Sequence, residues 1–218
     1  MGLIGALLDL LYPPRCVFCQ KLLKKGERGL CEKCLRELPY TRNGGEQTGD
    51  FFSVCVAPLY YEGDVRESLL RYKFKEATGY AQTYGALVAG CVRENLAGRY
   101  DLISWVPLSR KRYKERGYDQ AMLLAKAVAS ELGDAAVPAL EKHRDVARQS
   151  AAGSAEKRRA NISGAYRAVD PELIGGKRVL LIDDIVTTGA TLSECARTLL
   201  QSGAKEVLCA AVARSGDE

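Results

Sequence analysis

The chain has 218 residues, of which 47% are hydrophobic and 27% charged, and its formal net charge is +5. This length and apolar content exclude an unfolded chain and allow one ordinary core with a second small module. The basic excess would suit a phosphorylated ligand or a nucleic acid, but it is too small to require either.

The N-terminal segment is apolar, and its large residues recur at helical spacing: Leu3, Ile4, Leu7, Leu8 and Leu11. We expect a short amphipathic helix that ends at Pro13-Pro14 and docks on the rest of the protein. The segment is too short to span a bilayer and lacks flanking basic residues, so membrane contact is the weaker alternative. No signal sequence is recognisable before the cysteines, and we expect a cytoplasmic protein.

Four of the eight cysteines form two Cys-x-x-Cys pairs: Cys16, Cys19, Cys31 and Cys34. A two-residue spacer lets both thiolates of a pair face one point, so two pairs can complete a tetrahedral Zn²⁺ site. Four cysteine ligands leave no coordination position open for water, and we therefore expect the zinc to be structural. Two disulfides, or reduced thiols without a metal, are the alternatives.

The other cysteines lie singly within apolar runs: Cys55, Cys91, Cys195 and Cys209. We expect them to be small core residues, since nothing in the sequence pairs them with an activating base. His143, the only histidine, has polar and charged neighbours and is expected at the surface.

A polar, Gly-rich stretch from Thr41 to Asp50 has no hydrophobic periodicity, which is typical of a linker. We place the domain boundary here. The N-terminal helix and zinc ribbon would occupy residues 1–45, and a second domain would occupy residues 51–218.

Strand and helix patterns alternate through the second domain. The predicted strands are 54–61, 101–107, 177–184 and 205–213, and the predicted helices are 64–74, 80–95, 119–132 and 190–203. Such alternation indicates an α/β fold, in which helices cover both faces of a parallel sheet.

The segment VLLIDDIVTTGAT, Val179 to Thr191, contains two acids at the end of an apolar strand. Ligands of open parallel sheets bind outside the carboxyl ends of the strands, where Asp183 and Asp184 are expected. The loop that follows enters a helix and offers hydroxyls, backbone N–H groups and the helix dipole to a phosphate. Its residues are Thr187, Thr188, Gly189, Ala190 and Thr191.

A ribose between the two halves of this motif would keep the acids away from the phosphate, because its hydroxyls can donate to the carboxylates. The indicated ligand class is therefore a sugar phosphate. The sequence contains neither a Walker loop nor a dinucleotide-binding G-x-G-x-x-G element. The alternative is a strand that ends in solvated acids and is followed by an ordinary helix cap.

The same motif resembles the phosphoribosyl-pyrophosphate (PRPP) motif of type I phosphoribosyltransferases. The resemblance implies that Asp183 and Asp184 bind the ribose hydroxyls and that the loop from Thr187 to Thr191 binds the 5′-phosphate. It also implies a type I phosphoribosyltransferase-like sheet and Mg²⁺ bound together with PRPP.

A second resemblance covers nearly the whole chain. The cysteine pairs, WVPLSRKRYKERGYDQ, RQSAAGSAEKRRANISGAY and the PRPP motif occur in the order typical of the ComF family, which is linked to DNA uptake in natural transformation. Further residues that fit family positions are Lys73, Arg116, Gly117, Tyr118, Gln120, Gln149, Arg158 and Asn161. Two features depart from the family pattern: Asp119 replaces an Asn, and the segment after Gln149 is one residue longer.

The loop after the strand 101–107 would lie beside the motif strand, so Ser109 and Arg110 are expected to face the pyrophosphate. We expect Arg116 to contact the ligand as well, and Lys111 and Lys114 to be solvated. The segment RQSAAGSAEKRRAN is small, polar and basic, which is typical of a mobile lid that closes over a site.

The sequence thus predicts a PRPP-binding protein associated with competence. If it is an enzyme, a nitrogen nucleophile would displace pyrophosphate from the ribose. Only ARSGDE follows the last strand, so we expect no C-terminal hood to recognise a base. The second hypothesis is a competence factor that binds single-stranded DNA, with Tyr113 and Tyr118 as stacking platforms, contacts other competence proteins and keeps the PRPP site as a sensor or relic.

Overall fold

The computed structural model describes residues 13–75, 77–144 and 164–216. The predicted N-terminal helix lies outside these residues. The same is true of the predicted lid with its three family positions, Gln149, Arg158 and Asn161.

The described helices, numbered in chain order, are α1 (Glu32–Glu37), α2 (Gly63–Phe74), α3 (Tyr80–Leu96), α4 (Arg110–Arg116), α5 (Gln120–Leu132), α6 (Pro171–Ile174) and α7 (Ala190–Gln201). The strands are β1 (Val54–Val56), β2 (Leu59–Tyr60), β3 (Leu102–Trp105), β4 (Leu140–Lys142), β5 (Tyr166–Ala168), β6 (Arg178–Val186) and β7 (Glu206–Arg214).

The main sheet is parallel and has the order β1-β7-β6-β3, with β2 also paired to β7. Its two central strands are apolar along most of their length because both faces of the sheet are covered. Leu180 and Ile182 belong to the core beneath α3 and α5, whereas Val179 and Leu181 belong to the core beneath α7. The predicted α/β architecture is confirmed.

The ribbon, defined here as residues 13–40, shares the core beneath α3. Phe18 is 1% exposed, and its ring centroid lies 5.8 Å from that of Tyr84. The hydroxyl of Ser68 donates to the carbonyl oxygen of Val17 at 2.5 Å. Arg71 donates to the carbonyl oxygens of Val17 and Phe18 at 3.0 and 2.6 Å. The ribbon is therefore joined to α2 by backbone acceptors as well as by apolar packing.

Two predicted segments differ from the observed elements. The predicted strand 54–61 is split into β1 and β2, because Pro58 supplies no N–H group to a ladder. The segment after Ser109, which we treat as a loop in the sequence, forms α4 instead. The Ser109 hydroxyl accepts from the Arg112 N–H at 3.3 Å, and Gly117 ends the helix at a φ of 77°.

Two further predictions, for the single cysteines and for His143, are confirmed. All four single cysteines are buried, and His143 is exposed. No helix in residues 13–75, 77–144 and 164–216 is long and apolar enough to cross a membrane.

Gly85 lies where α3 and α5 approach most closely. A Cβ atom at Gly85 would lie 2.5 Å from the Cβ of Ala127, whereas one at Gly90 on the same helix would meet nothing within 4 Å. We expect Gly85→Ala to lower the free energy of unfolding by about 1–3 kcal/mol through overpacking. Gly90→Ala should raise it by about 0.5–1 kcal/mol, because alanine favours the helix. Urea denaturation measures both, and equal effects would contradict the packing described.

Candidate functional site

The structure brings the four ribbon cysteines together. Their sulfur atoms all lie within 4.8 Å of one another, and those of Cys19 and Cys31 are 3.7 Å apart. Tetrahedral zinc bonds of about 2.3 Å place sulfur atoms about 3.8 Å apart, so the set fits this metal. The cysteines are buried or half-buried and leave no ligand position to water, which makes the zinc site structural.

Burial and the neighbouring thiols raise the pKa of the Cys34 thiol. A thiol in this position is protonated at neutral pH unless a cation stabilises the thiolate. Zinc binding therefore releases protons, and its free energy contributes directly to folding of the ribbon.

We expect about one zinc per chain, and its loss from a Cys16→Ser/Cys19→Ser variant. Cys91→Ala, which removes a buried cysteine outside the ribbon, should keep the metal. Elemental analysis of the purified proteins measures the zinc content. A zinc-free native protein would refute the site.

A second site lies at the carboxyl end of the main sheet, where a cavity of about 420 Å³ opens. Its walls come from the ends of β2, β3 and β6, from helices α2, α4, α5 and α7, and from the β4–β5 pair. Of the residues expected in the site, the cavity is lined by Lys73, Arg116, Asp183, Asp184, Thr187 and Thr191.

The two acids lie within β6 rather than at its last residue, since pairing with β7 continues through Ile185 and Val186. Asp184 is 4% exposed, and its Oδ1 atom is 3.0 Å from the Lys73 ammonium. Its Oδ2 atom is buried and has no hydrogen-bond partner among the described residues. Such an atom is costly to leave without a donor, so the site is built to receive one.

Asp183 is partly exposed to solvent, and its Oδ1 atom accepts from the Asp184 N–H at 2.8 Å. Loss of hydration within the cavity raises the pKa of Asp183, and the adjacent Asp184 charge raises it further. The nearby Lys73 ammonium opposes both effects. A bound cation would favour the ionised form for the same electrostatic reason as Lys73.

The loop after β6 enters α7 through Gly189, which has a left-handed φ of 70°. A Cβ atom there would lie 3.3 Å from the Phe52 ring. Glycine therefore allows both the left-handed backbone and the close packing of Phe52. Thr187 and Thr191 line the cavity, whereas Thr188 is exposed and its hydroxyl accepts from the Ala190 N–H at 3.5 Å. The start of α7 thus faces the same space as the acids.

The arginines predicted to contact the ligand, Arg110 and Arg116, lie on different faces of α4. Arg112 and Arg116 are four residues apart on one helical face, and both line the cavity of the acids. Ser109 and Arg110 line a different cavity of about 350 Å³, together with His143. In the sequence Arg112 only adds to the density of cations near the pyrophosphate, because a loop does not show which of them face the ligand. Recognition of Ser109 as an N-cap and Gly117 as a C-terminal signal could have predicted the helix that places Arg112 in the cavity.

Other lining residues had no sequence signal for this role. Tyr61, Phe74, Lys142 and Tyr166 reach the cavity only through the tertiary fold. The Arg116 guanidinium lies over the Phe74 ring at 5.1 Å, and the Lys142 ammonium lies 3.1 Å from the Tyr166 hydroxyl. Lys111 and Lys114 are exposed, as predicted.

Asp119, which replaces the usual Asn, caps α5. Its two carboxylate oxygens accept from the Met122 and Leu108 N–H groups, each at 3.0 Å. Burial raises the pKa of Asp119, while these hydrogen bonds and one from Ala121 lower it. Each carboxylate oxygen thus accepts from a different N–H group, whereas an asparagine side chain would offer one acceptor oxygen in place of two. The Asp119 carboxylate therefore links the segment between β3 and α4 to the start of α5 by hydrogen bonds.

Family models match two parts of the chain. A double zinc ribbon domain matches residues 7–56, and a phosphoribosyl transferase domain matches residues 119–218. The chain therefore combines a zinc ribbon with a phosphoribosyltransferase-fold domain.

Similar proteins carry names related to competence and DNA use. Competence protein F of Haemophilus influenzae is 28% identical over 92% of this chain and 97% of its own length. Competence protein ComFC of Bacillus subtilis is 26% identical over 66% of this chain and 56% of its own. DNA utilization protein YhgH of Salmonella typhi is 37% identical over 49% of this chain and 46% of its own. The chain is thus similar to proteins named for competence and DNA utilization, as its resemblance to the ComF family predicts.

Among solved structures, a glutamine PRPP amidotransferase from Bacillus subtilis aligns with 64% of this chain and 30% of its own, at 20% identity and a TM-score of 0.44.

In the Lys73–Asp184 pair the carboxylate is buried and the lysine is half-buried, so removal of the cation should be costly. We expect Lys73→Met to lower the free energy of unfolding by about 2 kcal/mol or more, because Asp184 keeps a buried charge without its cation. Lys75→Met, at an exposed position just past α2, should change it by less than about 0.5 kcal/mol.

A double variant, Lys73→Met/Asp184→Asn, tests the cause of this effect. It should regain part of the stability that Lys73→Met loses, since the unpaired charge is gone. Chemical denaturation of the wild type, Lys73→Met, Asp184→Asn and the double variant completes the cycle, and strictly additive effects would show that the pair has no coupling.

Proposed function

We propose that the protein binds PRPP, with Mg²⁺, in the cavity at the carboxyl end of the sheet. The observation that carries this proposal is the convergence of Asp183, Asp184 and the start of α7 on one space. Two acids suit the ribose hydroxyls, and a helix start with threonine hydroxyls suits the 5′-phosphate. The phosphoribosyltransferase family match supports the same ligand class.

The proposed reaction is transfer of the phosphoribosyl group to a nitrogen acceptor with release of pyrophosphate. The C1–N bond forms as the C1–O bond breaks, and pyrophosphate leaves with the electron pair. Bound Mg²⁺ would supply charge neutralisation on the phosphate oxygens. Arg112 and Lys142 line the cavity beside the acids, where they would stabilise the charge of the departing pyrophosphate. No protein nucleophile is required.

The positions that we predicted for the lid, Gln149 and Arg158, retain their proposed role as ligand contacts. Thr188 and Ala190 would contribute to the phosphate loop through its backbone rather than through the cavity lining. Ser109 and Arg110 would lie next to, rather than within, the site for the leaving group.

A second function is favoured by the names of the relatives, which refer to competence and DNA utilization. In this second function, the protein acts in the cytoplasm with single-stranded DNA and other competence proteins. It binds PRPP as a signal and does not consume it. Tyr113 is 49% exposed and could stack on a base. Tyr118 fits this role less well, because its hydroxyl donates to the Tyr72 carbonyl oxygen.

Asp183→Asn/Asp184→Asn should weaken Mg-PRPP binding by about tenfold or more, because charge-assisted acceptors for the ribose hydroxyls are lost. Asp134→Asn, an exposed position outside the cavity, is the matched control. Since the pKa of Asp183 is raised, wild-type affinity should fall as the pH is lowered from neutral. Isothermal titration calorimetry measures the affinity of the double variant, of the control and of the wild type at each pH. Unchanged affinity in the double variant would refute the ribose assignment.

Pyrophosphate release separates the two functions. Release that depends on an added base or oligonucleotide would support the transferase. Binding of PRPP without release, together with salt-sensitive binding of single-stranded DNA, would support the sensor.

A further inference from the structure

The turn between the first two zinc ligands has carbonyl oxygens that accept from side chains. The Val17 oxygen accepts from the Ser68 hydroxyl at 2.5 Å and from the Arg71 guanidinium at 3.0 Å, and the Phe18 oxygen accepts from the same guanidinium at 2.6 Å. The Gln20 amide donates to the Cys16 oxygen at 2.8 Å. Of these donors Arg71 alone is charged, and it belongs to α2 rather than to the ribbon.

The other ends of the same peptide groups serve a metal ligand. The N–H groups of Phe18 and Cys19 donate to the Cys16 sulfur. The Phe18 N–H shares its planar trans peptide with the Val17 carbonyl, and the Cys19 N–H shares one with the Phe18 carbonyl. Arg71 and the Cys16 sulfur therefore lie at opposite ends of two consecutive peptide groups.

This arrangement favours the thiolate form of Cys16. Burial raises the pKa of the Cys16 thiol, but backbone donors from Cys31, Cys19 and Phe18 lower it, and the net pKa is lowered. Hydrogen bonds in a chain polarise one another. A cation on the carbonyl side of a peptide therefore strengthens the bond that its N–H group donates to the sulfur.

The remaining cations near the metal ligands are placed less effectively. Four thiolates around Zn²⁺ carry an excess of negative charge, which a nearby cation stabilises. Lys21 and Lys33 line a cavity together with Cys19 and Cys34, but both lysines are exposed, and water and salt screen their charges. Arg71 is half-buried, and the two carbonyls fix its planar guanidinium.

We propose that Arg71 is an outer-sphere cation of the zinc site, which stabilises the Cys16 thiolate through the two peptide groups that join Val17, Phe18 and Cys19. It is a positioning residue, because it touches neither the metal nor a ligand sulfur. Zinc retention in the ribbon then depends on a side chain of α2, outside residues 13–40.

Zinc affinity of the full-length protein, measured by competition with a chromophoric chelator, gives the first test. Arg71→Gln should weaken zinc binding by about tenfold to a hundredfold, as loss of an outer-sphere partner does in other metal sites. Arg66→Gln removes a cation from an exposed position of the same helix and should change the affinity by less than about twofold. Equal affinities of the two variants would overturn the proposal.

Replacement of zinc by Co²⁺ separates polarisation of the thiolate from a loss of packing. Hydrogen bonds to a thiolate stabilise its sulfur lone pairs, so their weakening moves the sulfur-to-cobalt charge-transfer absorption to longer wavelength. Arg71→Gln should show this shift, and Arg66→Gln should keep the wild-type band. A band at the wild-type position in Arg71→Gln would overturn the proposal, even if the variant were less stable.

Arg71→Lys carries the test if Arg71→Gln does not fold. Lysine keeps the positive charge but replaces the planar guanidinium by a compact ammonium, which fits two carbonyls less well. Its band should move in the same direction as expected for Arg71→Gln and by a smaller amount. An unshifted band with unchanged zinc affinity in Arg71→Lys would then overturn the proposal.

Discussion

The ion pair between Lys73 and Asp184 is the interaction on which the site depends. It joins the end of α2 to the central strand β6 across 3.0 Å, in a space where Asp184 is almost fully removed from solvent. A carboxylate removed from water in this way needs a nearby cation or hydrogen-bond donors to offset its lost hydration. Lys73 supplies the cation at Oδ1, while Asp184 Oδ2 has no hydrogen-bond partner among the described residues.

The position of Lys73 is in turn set by the ribbon. Arg71, two residues earlier on α2, donates to the carbonyl oxygens of Val17 and Phe18. These carbonyls lie between the first two cysteines, Cys16 and Cys19, so the zinc that orders the ribbon also orders the acceptors of α2. Phe18 continues the connection through Tyr84 and Tyr72, whose ring centroids are 5.3 Å apart. The metal site thus stabilises α2, which forms one wall of the ligand cavity.

Much of this arrangement could be predicted because its signals are local. Strands buried on both faces are continuous apolar runs, and Cys-x-x-Cys pairs and the segment from Val179 to Thr191 carry their chemistry within a few residues. The cavity residues that come from other elements could not be predicted in the same way. Phe74 and Lys142 come from elements far apart in sequence, and three-residue strands such as β4 are too short to show periodicity.

The incorrect loop prediction after Ser109 has a different origin. The basic run suggested a loop of cations, but capping at both ends makes it a helix, and a helix turns Arg110 and Arg112 to different faces. The same geometry places Arg112 and Arg116 in the cavity of the acids and leaves Arg110 in the cavity of His143.

A crystal structure of the protein with Mg-PRPP tests the central claim most directly. The account predicts the 5′-phosphate against the N–H groups of the loop from Thr187 to Thr191, with the ribose hydroxyls on Asp183 and Asp184. The pyrophosphate should lie toward Arg112 and Lys142. A ribose bound away from the two carboxylates, for example with its phosphate in the cavity of Arg110 and His143, would contradict the account.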